Sequence, residues 1–199
     1  MFLYLGCIMV NVSDTTGLQP PVDCNDTGLL LVDLQERLAP AIAESPEVVA
    51  RCLRLLEGFR AAGRPVLATE QYSKGLGPTV AALRGHLAPE EVVEKTAFGA
   101  PRERAFAAAL QRHAGVTEWI VAGMEAHVCV LQTVLCLREE DSKVALVSDA
   151  VASRVPLNKA LALRRMAAAG AALTTSDAVL ARLRRPAAAG GLGQAVGTA

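Results

Sequence analysis

Aromatic side chains are scarce in this chain, Phe, Trp and Tyr together making 4% of its 199 residues, and neither sign of charge is in surplus, with 20 Lys and Arg against 20 Asp and Glu. No basic block interleaved with aromatics occurs, so nucleic acid and membrane are poor partners and a small-molecule substrate is expected. The apolar opening Met1 to Val10 is too short to span a bilayer and lacks the basic leader of a secretory signal. The five cysteines, Cys7, Cys24, Cys52, Cys129 and Cys136, include no Cys-x-x-Cys and no metal-type spacing. Free thiols in a reducing, cytoplasmic compartment fit that pattern better than a disulfide framework.

Apolar residues are what the chain has in quantity, 52% against 20% charged, which suits one packed core at this length. Leu29-Leu30-Leu31-Val32 is a continuous run rather than an alternating one, as expected of a strand covered on both faces in a parallel sheet. Pro65 to Thr69, Glu91 to Glu94, Trp119 to Ala122, Val144 to Val147 and Ala171 to Thr174 read as five more strands. Between them Ser45 and Pro46 read as N-cap and first position of a helix that Gly63 closes. A short helix within Thr79 to Leu87, others from Pro101 and Pro156, and a last one capped by Thr175 or Ser176 follow, while Glu70 to Pro78 reads as a glycine-bearing loop. The alternation predicts an α/β fold in three layers, a six-stranded parallel sheet with helices on both faces. One domain is expected over 28–185, preceded by an extension, 1–27, that is mobile or packed on a partner subunit, and followed by a disordered Ala/Gly-rich tail, 186–199. The apolar fraction and the extension's need of cover predict a homo-oligomer.

Three polar residues occupy equivalent places: Asp33 after the first strand, Lys95 after the third and Cys129 after the fourth. In a parallel sheet these strand ends share one edge, where such folds place ligands. Singly, each has an ordinary reading, as a cap, a solvated strand end and an inert core thiol. Together they make an activated nucleophile, with the ammonium and the helix dipole expected to depress the Cys129 thiol pKa and the carboxylate able to take its proton. His127 is two residues from Cys129 and cannot face it on a helix, so a structural role is expected. Glu125 is expected to face the site or a subunit contact, and Gln71, Tyr72 and Phe98, in loops at the same edge, are candidate substrate contacts. Two other classes stay open. One is a redox or thiol-sensing protein using Cys129, weakened by Cys136 lying about 10 Å along the helix. The other is a non-catalytic binding protein on the same fold.

The strings Leu30-Leu31-Val32-Asp33-Leu34-Gln35-Glu36, Glu94-Lys95-Thr96-x-Phe98 and Gly123-Met124-Glu125-Ala126-His127-Val128-Cys129 resemble those of the isochorismatase-like cysteine hydrolases, most closely the isochorismatase domain-containing subgroup. Thr69-Glu70-Gln71-Tyr72 and Ser153-Arg154 extend the match. The resemblance implies Asp33 as proton acceptor, Lys95 as thiolate stabiliser and Cys129 as nucleophile on an amide-type carbonyl. It also implies a cis peptide between Met124 and Glu125, with the backbone N–H groups of Glu125 and Cys129 forming the oxyanion hole. The metal-using branch carries Asp-x-His where this chain has Thr69-Glu70-Gln71-Tyr72, so no metal and no other cofactor is expected. The branch that cleaves vinyl ethers does not use a cysteine, and Cys129 argues against that activity.

Overall fold

The computed structural model describes residues 26–184 and, nearer the N terminus, the backbone of two short strands, Tyr4–Leu5 and Ile8–Met9, which pair antiparallel. The expectations for the rest of 1–27 and for the 186–199 tail lie outside the described residues. Six parallel strands form the main sheet: β1 (Thr27–Val32), β2 (Val66–Gln71), β3 (Val92–Lys95), β4 (Glu118–Met124), β5 (Lys143–Ala152) and β6 (Ala172–Thr174). Their order is β3-β2-β1-β4-β5-β6. The chain builds outward from β1 to β3, then crosses back to lay β4 on the other side of β1. Between β1 and β4 the crossovers therefore diverge, which opens a crevice at the carboxyl ends of those two strands.

The helices are α1 (Ser45–Ala61), α2 (Ser73–Leu76), α3 (Ala81–Arg84), α4 (Arg104–Arg112), α5 (Leu131–Glu139), α6 (Pro156–Ala168) and α7 (Ser176–Leu183). Side chains alternate along a strand, so Leu30, Val32, Trp119 and Val121 meet the core formed by α4, α5 and α6. Leu29, Leu31, Ile120 and Ala122 meet the core formed by α1 and α7. Both faces of β1 are covered, which is why its apolar run is continuous. Gly63 ends α1 at φ 65, a left-handed stop that glycine adopts without steric cost. Among the described residues no helix is long and apolar enough to cross a membrane.

Local differences from the sequence reading have physical causes. Ser45 is the first residue of α1 rather than its cap: its N–H donates to Ile42 O at 3.0 Å, and Glu44 takes the N-cap place without a side-chain hydrogen bond to the helix N–H groups. The helix expected from Pro101 starts at Arg104, after a 3₁₀ turn over Ala100–Arg102. Glu103 instead turns its carboxylate back onto the N–H groups of Thr96 and Ala97, each at 2.8 Å. The loop after β2 contains the single turn α2, entered through Tyr72 at φ 41. β5 is longer than its apolar run, because a register irregularity opposite Ala122 lets pairing with β4 resume at Gly123 and Val151. The polar residues within that irregularity are used: Ser148 Oγ donates to Thr174 O at 2.9 Å, and Asp149 accepts from the N–H and hydroxyl of Ser176 at 2.8 and 2.6 Å.

Candidate active site

Asp33 leaves β1 at φ 50, a left-handed conformation that Asp and Asn tolerate better than other non-glycine residues. Lys95 closes β3, two strands away. Their side chains are both 0% exposed, and Lys95 Nζ lies 2.7 Å from Asp33 Oδ2. A buried ion pair is tolerable only if its remaining valences are satisfied. Here Asp33 Oδ1 accepts from Thr69 Oγ1 at 2.6 Å, while Lys95 also donates to Gln71 Oε1 at 2.7 Å and, more weakly, to Ala97 O at 3.4 Å. The ammonium thus meets three oxygen acceptors.

A further layer holds these partners. Gln71 donates through Nε2 to Thr96 O at 2.8 Å. Its backbone is gripped by the fully buried Gln35 amide, which accepts from Gln71 N at 2.8 Å and donates to Gln71 O at 3.0 Å and Gly77 O at 2.7 Å. Glu103 fixes the Thr96–Ala97 turn, and the backbone N–H groups of Ala97 and Thr96 hold its carboxyl below the usual range.

Cys129 comes from the other half of the sheet, on a π-helical turn, Ala126–Val130, that runs into α5. It is 6% exposed, and its thiol lies close enough to the Asp33 carboxylate and the Lys95 ammonium for both to act on its ionisation. Burial first, and then the Asp33 charge, push that thiol up to about 12, and the opposing pull of Lys95 does not offset them. The depressed pKa expected from the sequence is therefore corrected. Position at a strand-to-helix junction and the pull of Lys95 do not outweigh desolvation beside a carboxylate. The other two cysteines of the described residues, Cys52 and Cys136, are buried free thiols.

Gly123 is what lets the two halves meet. It pairs with Val32 at φ 133, and a Cβ there would lie 2.0 Å from Val32 O. The next peptide, Met124–Glu125, is cis. The Glu125 carboxylate is buried, and it accepts from Arg154 N at 2.9 Å, Arg154 Nε at 3.1 Å and Arg154 Nη2 at 2.9 Å. Burial alone would raise its pKa, but the Arg154 hydrogen bonds and charge hold it below the usual carboxylate range. His127 turns to the same side, with Nδ1 at 2.9 Å from Ser153 Oγ and Nε2 at 3.4 Å from Asn158 Nδ2. Both ring nitrogens thus face polar side chains, Ser153 just past β5 and Asn158 on α6.

Of the three candidate substrate contacts, Gln71 sits in the ion-pair network, whereas Tyr72 and Phe98 are 55% and 56% exposed. Gly75 allows Tyr72 its place, since a Cβ there would lie 2.4 Å from the Tyr72 ring. Glu70, at the position of the missing Asp-x-His motif, spends its carboxylate on the N–H and hydroxyl of Thr79 at 2.6 and 2.8 Å. Among the described residues no three His, Cys, Asp or Glu side chains gather as a metal would need. Gln35, Thr69, Glu103 and Arg154 were not assigned roles from the sequence. The available signal was polar residues interrupting apolar strand ends, as at Thr69 and Gln35.

A family model, the isochorismatase domain, matches residues 27–178. Isochorismatase domain-containing protein 1 of Salmo salar is 39% identical over 151 residues, 76% of this chain and 53% of the relative, so the chain spans about half the length of that protein. A solved structure of MAR1 ribonuclease from Caenorhabditis elegans is 38% identical, with a TM-score of 0.75 over 81% of this chain and 83% of that one. YcaC from Pseudomonas aeruginosa, solved with hexane-2,5-diol and covalent acrylamide, is 28% identical, with a TM-score of 0.77 over 83% of each chain. YcaC from Escherichia coli, described as an octameric hydrolase of unknown specificity, is 27% identical, with a TM-score of 0.76 over 84% of this chain and 85% of that one. With the domain model covering the whole sheet and all three strand-end residues, the chain belongs to the isochorismatase family.

Proposed function

We propose that the protein is a metal-independent cysteine hydrolase that cleaves a small amide or related C–N bond. The observation that carries the reading is the buried Asp33–Lys95 pair with the Cys129 thiol in reach of both, at the point where the strand order reverses. The covalent acrylamide on the Pseudomonas aeruginosa relative adds support, since that adduct requires a reactive group on the protein. Cys129 Sγ attacks the carbonyl carbon as its proton passes to Asp33. The backbone N–H groups of Glu125 and Cys129 receive the oxyanion. Collapse breaks the C–N bond, and Asp33 returns the proton to the leaving nitrogen. Water then attacks the thioester, giving its proton to Asp33 as the C–S bond breaks, and the thiol regains that proton. Lys95 stabilises negative charge as it moves between sulfur and carboxylate. Tyr72 and Phe98 supply apolar contact for the substrate at the rim.

The test is a panel of small aliphatic and aromatic amides, read by ammonia or amine release and by intact mass for an acyl adduct. Turnover by the wild type that falls to background in Cys129→Ala, with the adduct at Cys129 alone, is the expected result. A substrate hydrolysed equally by both proteins would sink the mechanism. RNA cleavage is a second reading, favoured by the name of the Caenorhabditis elegans relative. Against it, Lys95 is buried against Asp33, and the sequence carries no basic block interleaved with aromatics. An RNA oligonucleotide included in the panel decides the point. The thiol-sensing alternative is disfavoured because a thiol held near 12 reacts slowly with oxidants.

Self-association belongs to the same proposal. Val155, Leu157 and Leu161 are half-exposed or more, Leu157 and Leu161 share one face of α6, and the zero net charge imposes no repulsion between copies. The octameric Escherichia coli relative shares this fold. Light scattering is expected to return a multiple of the 20.8 kDa chain mass, and Leu157→Asp to lower it. A monomer at tens of micromolar removes this part of the proposal.

A further inference from the structure

We propose that Glu125 and Arg154 are positioning residues, a clamp that holds the Cys129 turn against the Asp33–Lys95 pair. The inference rests on the hydrolase reading for its consequence, though not for its geometry. The three strand-end residues straddle the reversal point of the sheet. Asp33 and Lys95 are locked in the β1–β3 half through Thr69, Gln71 and Gln35. Cys129 belongs to the β4–β6 half and shares none of those supports.

What orients its turn is the residue that starts it. Glu125 directly precedes the π-helical turn, and its carbonyl accepts from Val128 N at 3.0 Å, so the start of the turn moves with Glu125. Three N–H groups of Arg154 converge on the two Glu125 carboxylate oxygens, one from the backbone and two from the guanidinium edge. Charge-assisted contacts of this forked kind fix rotation as well as distance. The pair is asymmetric in burial: the Glu125 side chain is 6% exposed and that of Arg154 59%. Glu125 is thus largely shielded from solvent, while Arg154 reaches in from the surface to meet it. The neighbouring contact from His127 to Ser153 ties the same turn to the same end of β5. A turn anchored this way presents Sγ to Asp33, and a displacement of ~1 Å is enough to cost ~10²-fold in rate.

The test uses the full chain as wild type, Glu125→Gln and Arg154→Lys. The first variant keeps shape and an acceptor but loses charge. The second keeps charge but loses the fork. Cys129 alkylation by iodoacetamide is followed by mass spectrometry from pH 7 to 10, beside amide turnover and a thermal melt. The wild-type rate is expected to climb about tenfold per pH unit without a plateau. In both variants the pH profile departs from that of the wild type, because Sγ no longer holds its place beside Asp33 and Lys95, and amide turnover falls ~10²-fold at temperatures where the protein is folded. Variants that melt lower yet keep the wild-type pH profile and turnover would show an ordinary salt bridge and overturn the proposal. If Glu125→Gln does not fold, Arg154→Lys, a change at a largely exposed side chain, carries the test. If the wild type turns over no amide, the hydrolase reading fails, and the alkylation profile still decides whether the clamp positions the thiol.

Discussion

Lys95→Met is expected to lose about 3–5 kcal/mol of folding stability together with all amide turnover, because it removes one partner of a buried ion pair and leaves the other. Asp33 is fully buried, and without Lys95 its carboxylate loses its ionic partner and keeps the Thr69 hydroxyl on Oδ1. Gln71 Oε1 loses its donor as well. An exposed pair would behave differently, contributing roughly 0–1 kcal/mol. The double change Asp33→Asn with Lys95→Met separates structure from chemistry. Asn tolerates the left-handed backbone at position 33 and can still accept from Thr69, so both charges leave together and much of the stability returns. Activity does not. Urea denaturation of the three proteins reads the outcome, and a single-variant loss below about 1 kcal/mol would mean that water reaches the pair.

The architecture could be read from the chain because a parallel sheet covered on both faces leaves an unambiguous trace. Leu29 to Val32 must all be apolar, since odd and even positions face different helix layers, and the first polar residue after the run, Asp33, marks the strand end. The same logic located Lys95 and Cys129. It could not locate their supports. Thr69 lies 36 residues from Asp33, Arg154 29 residues from Glu125 and Gln71 24 residues from Lys95. Such contacts depend on which strands become neighbours, and a polar residue near a strand end carries no mark of its partner. β5 was read short for a related reason: Ser148 and Asp149 look like a strand end, but their polar groups are answered by Thr174 and Ser176. The sign of the thiol shift was beyond the sequence too. Proximity to an ammonium could be inferred from strand ends, whereas the burial of Cys129 and the weight of the Asp33 charge on its thiol could not.

That shift leads to the sharpest prediction, which is that Asp33→Asn changes two reactions of Cys129 in opposite directions. With the thiol near 12, the standing thiolate at pH 7 is on the order of 10⁻⁵ of the total, so attack on an amide depends on proton transfer as the C–S bond forms. Asp33 therefore acts twice. Its charge opposes a free thiolate, and its carboxylate accepts the proton during attack and later returns it to the leaving nitrogen. Removing the charge lowers the thiol pKa, because one of the two influences that raised it is gone, leaving burial alone against a Lys95 ammonium that is freer to turn toward sulfur. Alkylation by iodoacetamide, which consumes thiolate, is then faster at pH 8 than in the wild type. Amide hydrolysis is slower by roughly 10²–10⁴, the usual contribution of a placed acid–base group. A fall in both rates would point to a displaced Cys129 rather than a lost acceptor, and unchanged hydrolysis would remove Asp33 from the chemistry. Lys95→Met should shift the thiol the other way, raising it further and slowing alkylation. A carboxylate that suppresses the thiolate at rest yet is required for turnover gives this pair of signs, and a helix dipole or a lone ammonium acting on sulfur does not.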